Sequence, residues 1–463
     1  MHSILIQNAT VLTMDPKLGD IKGCDILIEG SRIVDIRPGI HAPASQLVDA
    51  TEMIVTPGYV DSHRHTWQCL MRNVATDWSL GQYHAGVRLV MGDRYTPDDM
   101  FLANYLGALE CLDAGVTTLL DFSHNNNSPD HSEAAVRGLK DAGIRGLFGY
   151  GNSSAESIPV SNLPTNFDDV RRIQIRHFST KNASLGMAFA ARGPQYSTLA
   201  QTERDFRAAH ELGLPITVHV GSGHWGLNRP VDALRSRGLL YPRTVYVHCC
   251  TIADDEIQMI ADSGGFVAVS PEVELNMGQG WPAALRARSA GIEPSLSIDV
   301  TTSIGGDMFS AMRAVLAGVR APANAHALAE NRILAEPALR SRDALRFATM
   351  GGATACGLDT QVGSITIGKQ ADLVLIDTNH LGMMPMNSPV SSVVESAGVG
   401  HVDSVILAGR FVKRSGELLG IDKKALRRRV ESTRDALFAR AGVAIDGTWL
   451  PVPHIGGTSA VRR

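Results

Sequence analysis

Short apolar, β-branched runs alternate with helix-like stretches through the long central part of the chain, and this alternation constrains the fold most strongly. The apolar runs occupy 117–121, 146–149, 186–190, 215–220, 245–248, 265–269 and 295–299. The helix-like stretches include 97–114, 131–142, 201–212, 253–263 and 307–320. Strands alternating with helices at this spacing form parallel βαβ units, and about eight such units favour a closed barrel over an open sheet. We therefore predict an α/β protein built on a (β/α)8 TIM-like barrel.

Both ends of the chain are rich in short strand-like runs. Near the start, the run 25–34 is interrupted by a Gly-Ser turn, and a similar pattern returns at 371–376 and 403–412. Each end is too short to close a sheet alone, so we predict that the two ends form one domain. The predicted domains are a composite β-sandwich over 1–57 plus 361–420, a catalytic barrel over 58–360, and a C-terminal helix with an irregular tail over 421–463.

The composition indicates which partners to expect. With 43 Lys and Arg against 47 Asp and Glu, the chain lacks the basic footprint of a nucleic-acid-binding protein, so we expect a small-molecule substrate. No apolar run is long enough to span a bilayer and no leader-like segment opens the chain, which predicts a cytoplasmic protein without membrane contact. Only 19% of the residues are charged, which is typical of a large interior or of surface buried in a homo-oligomer.

Two histidines, His63 and His65, stand at i and i+2 after a short apolar segment. Alternate residues of an extended segment project to the same side, so both imidazoles can reach one metal ion. Such a pair also occurs in protein cores, and taken alone it is a weak motif. Three further residues of metal-ligand type end apolar runs: His219, His248 and Asp299. Because barrel enzymes place their chemistry at the carboxyl ends of the strands, the five residues together predict a metal site.

Four stretches of the sequence resemble the amidohydrolase superfamily, and within it the branch of triazine hydrolases, chlorohydrolases and cytosine deaminases. They are the pair of histidines, residues 307–309, residues 344–353 and residues 363–374. The resemblance covers nearly the whole chain. It implies the arrangement predicted above, a metal-containing barrel with a β-sandwich formed by both ends, and relatives of this kind are often dimers or larger.

The resemblance also implies a single divalent ion. The implied ligands are His63, His65, His219 and Asp299, and His248 is a further ligand or a charge-stabilising partner. Two-metal relatives use a carboxylated lysine or a glutamate at a strand end, and residues 188–195 contain neither. Zinc suits three histidines and one aspartate best, although iron, cobalt or manganese also bind such ligands.

In the mechanism that the resemblance implies, the ion lowers the pKa of a water molecule from about 15.7 towards 7 and so supplies hydroxide at neutral pH. Asp299 is the predicted general base, which accepts the proton of the water and passes it to the leaving group. His248 is predicted to stabilise the negative charge of the tetrahedral intermediate.

The chain departs from its deaminating relatives at position 222. Those relatives carry a glutamate three residues after the third histidine, which protonates the ring or the leaving group, but this chain has Ser222. A hydroxyl group is a poor general acid at neutral pH. His224 is the candidate that replaces the glutamate as general acid, although it could also be an ordinary histidine in a loop. The change favours a leaving group that needs less protonation, as in a urea, carbamate, amide or activated heteroaryl, and points to phenylurea and thiocarbamate hydrolases among the relatives.

Polar and aromatic residues near the predicted ligands are candidates for contacting the substrate, and each also fits a structural role. They are Trp67, Gln68, Arg72, His124, Gln195 and Ser222.

The sequence thus predicts a metal-dependent hydrolase that uses an activated water to cleave a C–N bond, of amide, urea or carbamate type, in a small aromatic or heterocyclic compound. One alternative is an aminohydrolase (deaminase) or dechlorinase acting on a purine, pyrimidine or triazine ring. Another, from a different class, is a metal-free structural relative, against which the five ligand-type residues argue.

Overall fold

The computed structural model describes residues 3–43, 45–153, 160–180, 184–445 and 449. Within these ranges the strands form two separate sheets. The strands are β1 (Ser3–Leu12), β2 (Asp20–Glu29), β3 (Arg32–Arg37), β4 (Gln46–Asp49), β5 (Met53–Pro57), β6 (Tyr59–Arg64), β7 (Val116–Ser123), β8 (Arg145–Tyr150), β9 (Leu185–Ala191), β10 (Ile216–Val220), β11 (Val245–His248), β12 (Phe266–Val269), β13 (Ser295–Leu296), β14 (Leu373–Asp377), β15 (Val402–Leu407), β16 (Arg410–Arg414) and β17 (Glu417–Leu418).

Helices connect most of the barrel strands, and the five helix-like stretches of the sequence correspond to α2, α3, α6, α8 and α11. The α-helices are α1 (Leu80–Tyr83), α2 (Pro97–Asp113), α3 (Pro129–Ala142), α4 (Phe167–His177), α5 (Gly193–Tyr196), α6 (Leu199–Glu211), α7 (Pro230–Ser236), α8 (Asp254–Asp262), α9 (Pro271–Asn276), α10 (Ala284–Ser289), α11 (Met308–Ala329), α12 (Ser341–Arg346), α13 (Gly352–Ala355), α14 (Pro389–Ser391) and α15 (Lys423–Ala441). Short 3-10 or π turns occupy Thr66–Met71, His84–Met91, Gly92–Arg94, Gly223–Asn228, Phe347–Gly351, Leu381–Met383, Ser392–Ser396 and Val399–His401.

Local chemistry explains where such a helix begins, as α2 illustrates. The Thr96 side chain accepts a hydrogen bond from the backbone N–H of Asp99, and the Asp99 carboxylate accepts one from the backbone N–H of Thr96. Pro97 occupies the first helical turn, where its missing N–H costs nothing. This reciprocal cap fixes the start of α2, which packs over β7 and α3.

The strands β6 to β13 form an eight-stranded parallel sheet in sequential order. It curls round until its two edges nearly meet, because the chain beyond β13 pairs with the end of β6. The backbone N–H of His65 donates to the carbonyl of Asp299 at 2.8 Å, and the N–H of Asp299 donates to the carbonyl of His63 at 3.0 Å. This nearly closed barrel confirms the predicted fold class and brings the first and last predicted ligands together.

The remaining nine strands form a mixed sheet that contains both ends of the chain. Its order is β17-β16-β15-β14-β5-β1-β2-β3, with β4 paired to β1. The ends meet where β14 pairs antiparallel with β5, in a register that places Leu373 opposite Pro57. Ile4, Ile26 and Leu373 share one apolar core, so neither end buries its apolar face without the other. The prediction that both ends form one β unit is confirmed, while the exact domain limits stay a prediction.

A buried ion pair joins the barrel to the mixed sheet. Arg145, the first residue of β8, donates from Nε to Asp372 Oδ2 at 2.7 Å, and Asp372 Oδ1 accepts the backbone N–H of Ala408 at 2.7 Å. The predicted C-terminal helix is α15, which buries Leu437 and Phe438. The predicted irregular tail lies mostly outside the described residues. No helix in the described ranges is long and apolar enough to cross a membrane.

Candidate metal centre and active site

The five predicted ligand-type residues converge at the carboxyl ends of the barrel strands. His63 and His65 lie at the end of β6, His219 lies in β10, and His248 ends β11. Asp299 lies three residues beyond β13, where the chain turns back to β6. All five side chains are at least 95% buried. Because the strands are parallel, their ends meet at one mouth of the barrel, which is why residues 236 positions apart in sequence become neighbours.

Four of these residues form a compact cluster. One potential ligand atom from each of His63, His219, His248 and Asp299 lies within 4.8 Å of the others. His65 is outside this tetrad but close to it, because its Nε2 is 3.2 Å from Asp299 Oδ1. Asp299 therefore contacts three imidazoles, with His63 Nε2 at 3.3 Å and His248 Nε2 at 3.8 Å from its carboxylate.

Hydrogen bonds on the far side of two rings orient them towards the cluster. His65 Nδ1 contacts the carbonyl of Phe122 at 2.9 Å, which requires a proton on Nδ1 and leaves the Nε2 lone pair free to bind a metal. His248 Nδ1 contacts Glu274 Oε1 at 3.1 Å, and Glu274 accepts the backbone N–H of Ser270 at 2.7 Å. Sequence analysis missed Glu274, because nothing in its surroundings distinguishes it from any other helical glutamate.

Two observations show that the cluster fits a cation. Both ring nitrogens of His63 are buried, and neither makes a well-aligned hydrogen bond in the described part of the chain, since Nε2 has only the Asp299 carboxylate at 3.3 Å; this is costly unless a ligand is bound. In addition, His248 and Asp299 adopt left-handed backbone conformations, with φ of 74° and 66°. Such strain in non-glycine residues is concentrated at functional sites.

The electrostatics of the cluster match this fit. Burial lowers the pKa of His63 to about 3 and also lowers the pKa of His219, so both rings are in the neutral form that binds metals. Burial opposes ionisation of Asp299, but contacts with His63 and His65 outweigh it and hold the pKa of this carboxyl well below its usual range. His248 differs, because Glu274 and Asp299 outweigh burial and raise its pKa.

Three of the predicted substrate contacts lie beside the cluster. The His124 ring stacks on His65 at 3.9 Å between centroids, and its Nδ1 accepts a hydrogen bond from Trp67 Nε1 at 2.9 Å. Gln68 donates from Nε2 to the hydroxyl of Tyr83 at 2.6 Å. All three side chains are buried, and they form the wall next to His63 and His65.

Gln195 and Ser222 are both buried, and Ser222 lies two residues beyond β10, the strand that contains His219. The backbone N–H of Ser222 is 3.5 Å from Gln195 Oε1. Neither Gln195 Nε2 nor the Ser222 hydroxyl has a hydrogen-bond partner among the described residues, although both atoms are buried. Position 222 thus holds an unsatisfied neutral hydroxyl where the resemblance would place a carboxylate.

Two other predicted residues lie away from the cluster. His224 is exposed and stacks on Trp225 with ring centroids 4.3 Å apart. The Arg72 guanidinium is 38% exposed and contacts Glu110 Oε1 at 2.7 Å. The structure therefore brings Trp67, Gln68, His124, Gln195 and Ser222 close to the predicted ligands, but it does not bring Arg72 or His224 into contact with them.

A small cavity opens onto this cluster. The lining residues are Arg88, Phe122, His124, Asn152, Ala190, Ala191, Arg192, Tyr196 and His219. Arg88, Tyr196 and Arg192 in this wall were not predicted from the sequence: Arg88 and Tyr196 lie outside the apolar runs, and Arg192, which follows β9, is not of metal-ligand type.

A family profile matches most of the chain. The amidohydrolase family profile matches residues 54–412, which include the whole barrel and every candidate ligand. The chain belongs to the amidohydrolase family. The family predicted from the histidine pair and the three sequence stretches is therefore confirmed.

Two deaminases are similar to the chain over nearly its full length. A 5-methylthioadenosine/S-adenosylhomocysteine deaminase from Pyrococcus abyssi is 25% identical over 91% of this chain and 96% of its own. A 5'-deoxyadenosine deaminase from Methanobrevibacter smithii is 28% identical over 94% of this chain and 99% of its own.

Solved structures of amidohydrolases share the fold. A zinc-bound adenosine deaminase from Xanthomonas campestris superposes with a TM-score of 0.82 at 25% identity, covering 95% of this chain and 99% of the other. Atrazine chlorohydrolase from Arthrobacter aurescens, complexed with zinc, gives a TM-score of 0.80 at 21% identity over 93% and 100% of the two chains. The predicted branch of the superfamily is thus also confirmed.

Proposed function

We propose that this amidohydrolase uses one divalent metal ion and an activated water to cleave a C–N bond, of amide, urea or carbamate type, in a small aromatic or heterocyclic compound. The observation that carries the proposal is the buried cluster of His63, His219, His248 and Asp299, whose ligand atoms lie within 4.8 Å of one another. An arrangement of imidazoles around one carboxylate, at the carboxyl end of a barrel, is suited to metal-assisted hydrolysis.

His63, His65, His219 and Asp299 would hold the metal, and His248 would either complete the set or remain a charged neighbour. Zinc is the first choice, since imidazole and carboxylate ligands suit it, and the zinc-bound deaminase and chlorohydrolase structures support that choice. A divalent ion at this position would supply hydroxide at neutral pH by lowering the pKa of water towards 7.

Asp299, His248 and the wall next to His65 have distinct roles in the proposed reaction. Asp299 accepts the proton of the attacking water and transfers it to the departing nitrogen. His248, held by Glu274 at 3.1 Å, donates a hydrogen bond to the oxygen on which negative charge develops. The wall formed by Trp67, Gln68 and His124 positions the substrate ring, because these side chains are buried directly beside His65.

The nature of residue 222 favours a leaving group that departs without strong acid catalysis. Ser222 is buried and neutral, and Gln195 beside it offers an amide N–H rather than a carboxylic acid. These groups can hydrogen-bond a substrate carbonyl or amide, but neither donates a full proton near neutral pH.

A second candidate function is the hydrolytic removal of an amino group or chlorine from a purine, pyrimidine or triazine ring. The similarity to adenosine-type deaminases over more than nine-tenths of the chain favours it. In that case His224 or a water molecule would act where a glutamate acts in the relatives.

A substrate screen separates the two candidates. Metal-loaded enzyme is incubated with paired amides, ureas, carbamates and amino- or chloroheterocycles, while ammonia, chloride and larger amines are quantified. We expect release of larger amines without stoichiometric ammonia. Release of ammonia or chloride alone would favour the second candidate, and a metal-loaded enzyme that hydrolyses none of these classes would contradict both.

The role of His224 can be tested by His224→Asn. If His224 is the general acid, turnover falls most, by up to about 100-fold, for substrates with poor leaving groups. His210→Asn is a matched control, because His210 is likewise exposed and stacks on a single aromatic ring, Tyr241. An equal loss across a leaving-group series would show that His224 is not the acid.

We also propose that the enzyme is a cytoplasmic homo-oligomer, dimer or larger. The low charged fraction supports this, and so do large apolar side chains such as Ile333 and Leu381, which are 89% and 91% exposed. Light scattering after gel filtration should give a mass of at least two chains, and a monomer mass would contradict the proposal.

A further inference from the structure

Arg88 is a buried arginine in the wall of the catalytic cavity. It lies in the π-helical turn His84–Met91, and only 2% of its surface is exposed. It lines the same cavity as His124 and His219. A cationic side chain this deeply buried needs a counter-charge or a bound ligand, because transferring a charge out of water is costly.

In the described part of the chain, Arg88 has no carboxylate partner. Its Nε is buried without a hydrogen-bond acceptor, and its guanidinium lies over the ring of Tyr196, 5.1 Å from the centroid. The three other buried arginines each contact a carboxylate: Arg64 with Asp61 and Glu110, Arg145 with Asp372, and Arg192 with Asp205. Arg88 is therefore the exception among the buried arginines described.

The other groups around Arg88 do not supply negative charge. Tyr196, over whose ring Arg88 lies, contacts His84 Nε2 through its hydroxyl at 3.3 Å, and His124 lines the same cavity. These groups are a phenol and two imidazoles, not carboxylates. Arg88 thus faces aromatic and imidazole groups, and no carboxylate among the described residues pairs with it.

We infer that the substrate carries a carboxylate that pairs with Arg88 while its scissile C–N bond lies beside His219. This inference rests on the proposed function. A planar carboxylate matches the forked donors of a guanidinium and neutralises one positive charge. A neutral carbonyl would leave that charge uncompensated, and a phosphate normally engages several cationic or backbone donors, whereas the other arginine of this wall, Arg192, is already paired with Asp205.

The position of Arg88 makes it specificity-determining. Because Arg88 and His219 line the same cavity, an acidic group that pairs with Arg88 lies close to the reacting group beside His219. Arg88 consequently selects acidic substrates over their neutral amide or ester counterparts and orients the scissile bond.

The test measures binding rather than turnover. Metal-loaded enzyme is titrated calorimetrically with three acid–amide pairs: acetate and acetamide, benzoate and benzamide, nicotinate and nicotinamide. For at least one pair the wild type is expected to bind the acid at least about tenfold more tightly, as is typical of a charged hydrogen bond. Arg88→Gln should abolish that preference, and Arg88→Lys should retain part of it.

Two controls isolate the effect of Arg88. Arg428→Gln removes an exposed arginine of α15 and should leave the preference unchanged. Because carboxylates can also bind a metal ion, an acid preference that survives in Arg88→Gln would assign it to the metal and overturn the inference. Equal affinity of the wild type for both members of every pair, or no binding of either member, would also overturn it. Neither result bears on C–N hydrolysis, which the substrate screen tests separately.

Discussion

Arg64 and Arg88 are both buried in the barrel domain, yet their surroundings differ completely. Arg64 directly follows the ligand His63, and its guanidinium contacts Asp61, Glu110 and the carbonyl of Gly306. Arg88 lines the cavity at His219 and has no such partner among the described residues. The positive charge of Arg64 is neutralised by carboxylates of the protein itself, which indicates a structural role. The positive charge of Arg88 has no such partner, and we infer above that a ligand neutralises it, which indicates a role in substrate specificity.

The largest loss of stability is expected when Arg64, whose charge is paired with carboxylates, is replaced. Arg64→Met leaves Asp61 buried without its cation, so the free energy of unfolding should fall by about 3 kcal/mol or more. Chemical denaturation in the presence of a chelator measures this without a contribution from bound metal. Arg72→Met is the matched control, because Arg72 contacts the same Glu110 but is 38% exposed, and it should cost less than about 1 kcal/mol. Similar losses in the two variants would contradict the structural role of Arg64.

A second, intermediate effect concerns the carboxylate behind His248. Glu274→Gln removes the charge that holds His248 Nδ1, so metal affinity or turnover should fall about 10- to 100-fold. Competition with a chelator and steady-state kinetics measure the two quantities. Glu272→Gln is the control on the same helix, since Glu272 contacts Ser310 rather than His248. A Glu274→Gln enzyme that matches the control would show that His248 needs no such support.

The smallest change in stability is expected when Arg88, whose charge is unpaired among the described residues, is replaced. Arg88→Met removes a buried cation without orphaning a carboxylate, so the ligand-free protein should change in stability by no more than about 1 kcal/mol, or become more stable. The measurement is the same chemical denaturation as for Arg64→Met. A loss as large as that of Arg64→Met would mean that Arg88 is a structural residue, and the contrast between the two arginines would disappear.

The fold and the residues of the metal cluster could be predicted from the sequence. The barrel strands and the five ligand-type residues were predictable because each ligand ends or follows an apolar run, and parallel strands bring their ends together whatever the details of packing. The pairing of β14 with β5 followed from two ends that cannot close a sheet separately.

Residues that depend on how loops fold over the barrel were not predictable. Arg88 lies in an irregular π turn and Glu274 in a six-residue helix, and the residues that reveal their roles, Tyr196 and His248, are far away in sequence. Arg72 was predicted to contact the substrate from its position soon after His63 and His65. The 3-10 turn Thr66–Met71 precedes it, and its guanidinium contacts Glu110, so a contact with the substrate stays a prediction. Sequence proximity to a ligand does not determine the direction of a side chain once the strand has ended.

The metal content of the purified protein tests the central claim most directly. Elemental analysis after dialysis against metal-free buffer should give close to one divalent ion per chain for the wild type. His219→Ala should retain essentially none and should lose C–N hydrolysis. A wild type without a stoichiometric ion, a wild type with two ions per chain, or a His219→Ala variant that keeps both ion and turnover would contradict a single metal held by these residues.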